Sequence, residues 1–110
     1  MNELRRVFIT GLGSISSLGL DVPTNWQNLV AGQSGIAPIT AFDHESFDTH
    51  FAGEVKGFDA ENYLERKEAR HMDRFAQLAA VAAKEACQQA HLDPRDGDPF
   101  RVGVIIGSGI

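Results

Sequence analysis

Two groups of residues have the types and spacing to do chemistry: a cysteine near a histidine, and a run of cations in an acidic chain. Cys87 is the only cysteine, and His91 follows four positions later, about one helical turn away. A thiolate there would be a nucleophile. The position, however, is mid-helix among alanines, away from the helix N-terminus that lowers a thiol pKa. Cys87 therefore reads as a small hydrophobe. Arg66, Lys67, Arg70 and Arg74 fall within nine positions, with His71 among them. On one continuous helix, positions 67, 70, 71 and 74 share a face. Such a face suits an acidic or phosphorylated partner. Glu65, Glu68 and Asp73 interleave with it, so charge pattern alone favours a solvated surface. His44, His50, His71 and His91 show no metal-ligand spacing, and no metal is assigned to them.

A third motif is Gly11-Leu12-Gly13-Ser14-Ile15-Ser16, which half-matches a G-x-G-x-x-G dinucleotide loop, with Ser16 in place of the last glycine. The nucleotide reading would put a pyrophosphate at a helix N-terminus. The following helix starts only near Val22, and no second strand with a terminal acid follows about 20 residues later. A tight structural turn is the favoured reading.

The elements that must position these residues are legible in part. Arg6–Thr10 and Arg101–Ile106 are apolar runs of the kind found in parallel strands buried on both faces. Asp21 is a good N-cap, with Pro23 in the first turn. Val22, Trp26, Leu29 and Val30 line one face of the helix that follows, and Gly32 ends it as a C′ glycine. Gln33 to Phe58 reads as a loop-rich segment pinned by single phenylalanines, with a short strand near Phe51–Val55. Asp59 can cap a short helix over Ala60–Leu64. A longer helix is expected from near Asp73 to about Ala90, apolar most of the way round and so buried on nearly all sides. His91-Leu92-Asp93-Pro94 ends it.

The bulk properties exclude several classes. At 110 residues the length suits one small domain, and 43% apolar residues is near the globular average. A net charge of -5 argues against a general nucleic-acid binder. No apolar run approaches the roughly 20 residues of a membrane span. A single cysteine rules out an internal disulfide and suits a reducing cytoplasm. Gly107-Ser108-Gly109-Ile110 directly follows only the second clear strand, whereas a parallel sheet typically has about 5–6. The chain is therefore expected to be the opening segment of a larger α/β protein.

Five stretches in order resemble the N-terminal part of β-ketoacyl-acyl-carrier-protein synthases, most closely the synthase II type. They are Arg5 to Gly13, Trp26 to Ile36, Phe51 to Val55, Arg66 to Ala76 and Val102 to Ile110. The resemblance implies a thiolase-like αβαβα layered fold of two duplicated halves, incomplete here. Residues 1–110 would be a partial N-terminal domain, truncated before the catalytic cysteine. It implies a homodimeric cytoplasmic parent that performs a decarboxylating Claisen condensation in fatty-acid elongation. A cysteine and two histidines, all beyond Ile110, would do the chemistry without an organic cofactor. The resemblance also makes Lys67 and Arg70 residues that meet the acyl carrier protein and its phosphopantetheine arm. His71 stands where a lysine is common in close relatives. Ile110 would line the acyl pocket. Two alternatives stay open: a non-catalytic chain-length-factor subunit of a polyketide system and, more remotely, a nucleotide-binding oxidoreductase domain.

Overall fold

The computed structural model describes residues 3–93 and 95–109. Helix α1 spans Val22–Val30 and begins as its sequence dictates. Asp21 Oδ1 accepts the Thr24 N–H at 2.8 Å, and Pro23 sits where no intrahelical donor is needed. The helix ends in a Schellman motif. Gly32 takes φ +70, its N–H reaches the Leu29 carbonyl, and the Gln33 N–H reaches that of Asn28.

Strands β1 (Ala37–Pro38) and β2 (Phe51–Ala52) pair antiparallel, Ala37 opposite Ala52. Beyond them Glu54 gathers the loop, accepting from the Thr40 and Ala41 N–H groups and the Thr40 hydroxyl. These donors hold its carboxyl below the usual carboxylate range, the Ala41 N–H foremost. The strand expected over Phe51–Val55 thus shrinks to two residues, because β1 offers it only two ladder positions.

Asp59 caps a single 3₁₀ turn, Ala60–Asn62, where a helix to Leu64 was expected. Helix α2 (Arg66–Arg70) and helix α3 (Arg74–Gln89) follow, separated by a tight turn at His71–Asp73. The buried centre lies between this segment and α3. Phe58, Ala60, Ala69 and Val81 are its innermost residues, with Ile15, Leu20, Val55, Tyr63, Leu64 and Leu78 packed around them. Phe58 stacks on Tyr63 with ring centroids 5.8 Å apart.

Two parts of the chain lack the cover that their composition calls for. Residues 6–10 and 102–106 belong to no ladder among the described residues, and Arg101 closes a 3₁₀ turn, Pro99–Arg101. A strand is held by a neighbour's N–H and C=O groups. The intervening backbone spends its own in helices, turns and the β1–β2 pair. The two apolar segments are therefore extended arms with Val7 90% and Ile105 98% exposed. The radius of gyration is 17.5 Å, against about 13 Å for a compact domain of this length. No parallel sheet forms among the described residues. Helix α3 is likewise not buried all round. Only Val81 is fully buried, Leu78 and Ala82 are half-buried, and Ala83 faces out.

Helix α3 ends in the same Schellman geometry as α1, but with His91 in the left-handed position at φ +50. The His91 N–H meets the Gln88 carbonyl, and the Leu92 N–H meets that of Cys87. A side chain there costs roughly 1–2 kcal/mol, which glycine would recover minus its larger unfolded-state entropy. His91→Gly is expected to slow amide exchange over Gln88–Leu92 about two- to fivefold in the full-length protein, as a gain of about 0.5–1 kcal/mol would. Faster exchange in that turn would contradict it.

Candidate functional site

The basic stretch is built on α2, which is too short to hold itself together in water. Tertiary contacts hold it. Ala69 is 2% exposed and seats the helix on the core. From α3, the Gln77 side-chain amide donates to the Ala69 and Met72 carbonyls at 2.8 and 3.3 Å, satisfying groups that a helix end leaves open. Lys67 and Arg70 stand on the exposed side of this anchored turn.

Lys67, Arg70 and Arg74 do not lie on one continuous helix. The helix breaks at His71–Asp73, and Arg74, itself exposed, reaches over the Phe58 ring. Its guanidinium lies 5.4 Å from the Phe58 ring centroid and donates to the Val55 carbonyl at 3.3 Å. Arg66 and Arg70 converge on Glu61, with Nε–Oε1 distances of 3.4 and 3.6 Å. These side chains are well exposed, so the pairs contribute little stability. They orient Arg70 and offset part of its charge. Glu61 was missed in the sequence because it lies outside the basic run and arrives through the 3₁₀ turn. Ile110 lies outside the described residues.

The glycine loop has a different role. Gly11 and Gly13 lie against α3 so closely that a Cβ on Gly13 would collide with the Ala82 carbonyl, and one on Gly11 with that of Ala86. The alanines at 82, 86 and 90 permit this approach. Several of the loop's donors are already used. Leu12 N–H donates to Gln89 Oε1 at 2.6 Å and Ser14 N–H to Glu85 Oε2 at 2.9 Å. Glu85 Oε1 also accepts the Val22 N–H at the start of α1, at 2.8 Å. One carboxylate thus ties three elements together, and the Leu12 and Ser14 N–H groups are engaged within the fold. The glycines serve close packing rather than the expected tight turn, which falls later, at Ser17–Leu18 between the bridged Ser16 and Gly19. Cys87 sits half-buried in the last turn of α3, as its apolar setting implies.

A family model described as the beta-ketoacyl synthase, N-terminal domain, matches residues 4–110. The chain belongs to that family. Among its relatives, the 3-oxoacyl-[acyl-carrier-protein] synthase 2 of Staphylococcus aureus (strain N315) is 50% identical over all 110 residues. The protein of that name from Vibrio cholerae is 47% identical over 106 residues. The chain spans 27% and 26% of the length of these two curated relatives. A solved structure described as the ishigamide ketosynthase/chain length factor superposes with a TM-score of 0.68 at 37% identity, over 80% of this chain and 22% of that one. The fold is therefore ketosynthase-like. Within this β-ketoacyl synthase domain, the glycine loop and α3 form the scaffold, and α2 carries the exposed cations.

Proposed function

We propose that the protein is a 3-oxoacyl-[acyl-carrier-protein] synthase of the synthase II type, represented here by a partial N-terminal domain. The 50% identity across the whole chain to a synthase of that name carries the reading. The finer architecture is the layered αβαβα arrangement, with residues 6–10 and 101–106 as strands of its sheet. Their exposed apolar side chains support this, since such runs are stable only between two covered faces. An open groove of about 400 Å³ lined by Leu12, Val22, Trp26 and Leu29 is a second apolar surface that the rest of the protein and a second subunit would cover.

In the whole enzyme a cysteine beyond Ile110 takes the acyl group from its carrier as a thioester. Two histidines assist loss of CO₂ from the malonyl carrier. The resulting carbanion attacks the thioester carbonyl, and the cysteine leaves as thiolate. Each bond change is accounted for without a redox partner, so no organic cofactor is required, and a cytoplasmic setting suits it. Lys67 and Arg70 dock the acidic acyl carrier protein and its phosphopantetheine arm, and Ile110 lines the acyl pocket. The exposure of both cations on a helix anchored from below supports the docking role.

The chain-length-factor alternative is favoured by one observation, the likeness to a ketosynthase/chain length factor at 37% identity. The synthase reading rests on higher identity over the full chain. Incubating the full-length protein with acyl- and malonyl-carrier protein separates the two. Equimolar CO₂ and 3-oxoacyl-carrier product are expected; absence of both would sink the synthase reading.

A further inference from the structure

The hairpin between β1 and β2 brings together two histidines that lie six positions apart in sequence. His44 Nδ1 and His50 Nδ1 are 2.9 Å apart, with ring centroids at 5.1 Å. The loop is braced around them. The Ile39 N–H donates to the His50 carbonyl and the Phe47 N–H to that of His44. Phe42 and Phe47 pack edge to face at 5.7 Å, and Asp43 Oδ1 accepts the Glu45 N–H. Glu54 holds the other side of the loop through Thr40 and Ala41. His44 is half-buried and His50 exposed, so a solute reaches the pair from one side.

We propose that His44 and His50 form a two-imidazole site for a divalent transition-metal ion of the zinc, nickel or copper type. Two nitrogens bound to one such ion at about 2.0–2.1 Å, at 90–109°, lie about 2.9–3.3 Å apart. The observed separation needs to widen by a few tenths of an ångström at most. In the metal-free pair one Nδ1 carries the shared proton. On binding, that ring moves its proton to Nε2, and both Nδ1 lone pairs then face the ion. The segment that carries the pair is acidic, with Lys56 and Arg74 at its Thr40–Glu54 side. Between Arg6 and Lys56 the chain has no Lys or Arg, but it has Asp21, Asp43, Glu45, Asp48 and Glu54. Among the described residues no third His, Cys, Asp or Glu converges on the pair. Solvent completes the coordination sphere, and the affinity is on the order of micromolar rather than that of a four-ligand structural zinc.

The test is calorimetric titration of the full-length protein with Zn²⁺. His44→Gln and His50→Gln are each expected to weaken one site at least tenfold, and the double variant to do no more than either alone. Wild-type isotherms in both single variants would overturn the proposal. A readout on the unmutated protein stands beside it. Zn²⁺ should protect His44 and His50 from carbethoxylation by diethyl pyrocarbonate, scored by peptide mass spectrometry. Equal labelling of both with and without Zn²⁺ would overturn it as well.

Discussion

Gly13→Val is expected to cost about 3 kcal/mol or more, enough to deplete soluble full-length protein and lower its melting temperature. The reason is what the new side chain would meet. A Cβ at position 13 is built into the Ala82 backbone, with the Ala82 carbonyl carbon 2.7 Å away and its oxygen closer still. A clash with a flexible side chain is relieved by a rotamer change; a clash with a helix backbone is not. The loop would have to lift off α3, taking with it the Ser14 N–H bond to Glu85 and through Glu85 the start of α1. Equal soluble yield and melting temperature for Gly13→Val and wild type would show that the seam is not close-packed.

Reversing the two cations proposed to dock the carrier, Lys67→Glu with Arg70→Glu, is expected to raise the KM for the acyl carrier protein roughly tenfold at low salt. The kcat at saturating carrier should stay close to wild type. Exposed charges act mainly on encounter and so on the carrier's apparent affinity. The effect should shrink as salt rises, because the screening length falls from about 10 Å at 0.1 M to about 3 Å at 1 M. Arg70→Glu also sets a carboxylate beside Glu61, where Arg70 Nε now lies 3.6 Å from Glu61 Oε1. Arg70→Gln removes the cation without that repulsion and should give a smaller rise in KM. An unchanged KM in the double reversal would remove the docking assignment.

The parts of the fold that were legible in the sequence are those whose hydrogen bonds close within a few residues. Asp21 reaches three positions forward to Thr24, Asp59 two to Glu61, and Gly32 ends α1 within its own last turn. A cap is a local bargain between neighbours, so side-chain type and spacing suffice to find it. The helix over 74–89 was equally legible, because its run of helix formers is long. The basic stretch was located correctly but drawn as one face. The tight turn at His71–Asp73, with its i→i−3 bonds from His71 and Met72, puts Arg74 on a second helix, where it still lines one open pocket with Arg70.

By itself, the sequence determined the family through five ordered motifs, the helix caps, and the position of the exposed cations on α2. Only the tertiary structure decided what the glycines are for. Glu85 lies 71 positions from Ser14 and Gln89 lies 77 from Leu12, and no local pattern links such pairs. Tertiary structure alone also paired Arg70 with Glu61, aimed Arg74 at Phe58, and set His44 against His50. The physical reason is one of range. Propensity and capping act along the chain over a turn or two, whereas close backbone approach, side-chain bonds to distant N–H groups and strand pairing depend on which surfaces meet in space. Residues 6–10 and 102–106 mark that limit, having the composition of buried strands while their pairing depends on neighbours these residues do not supply.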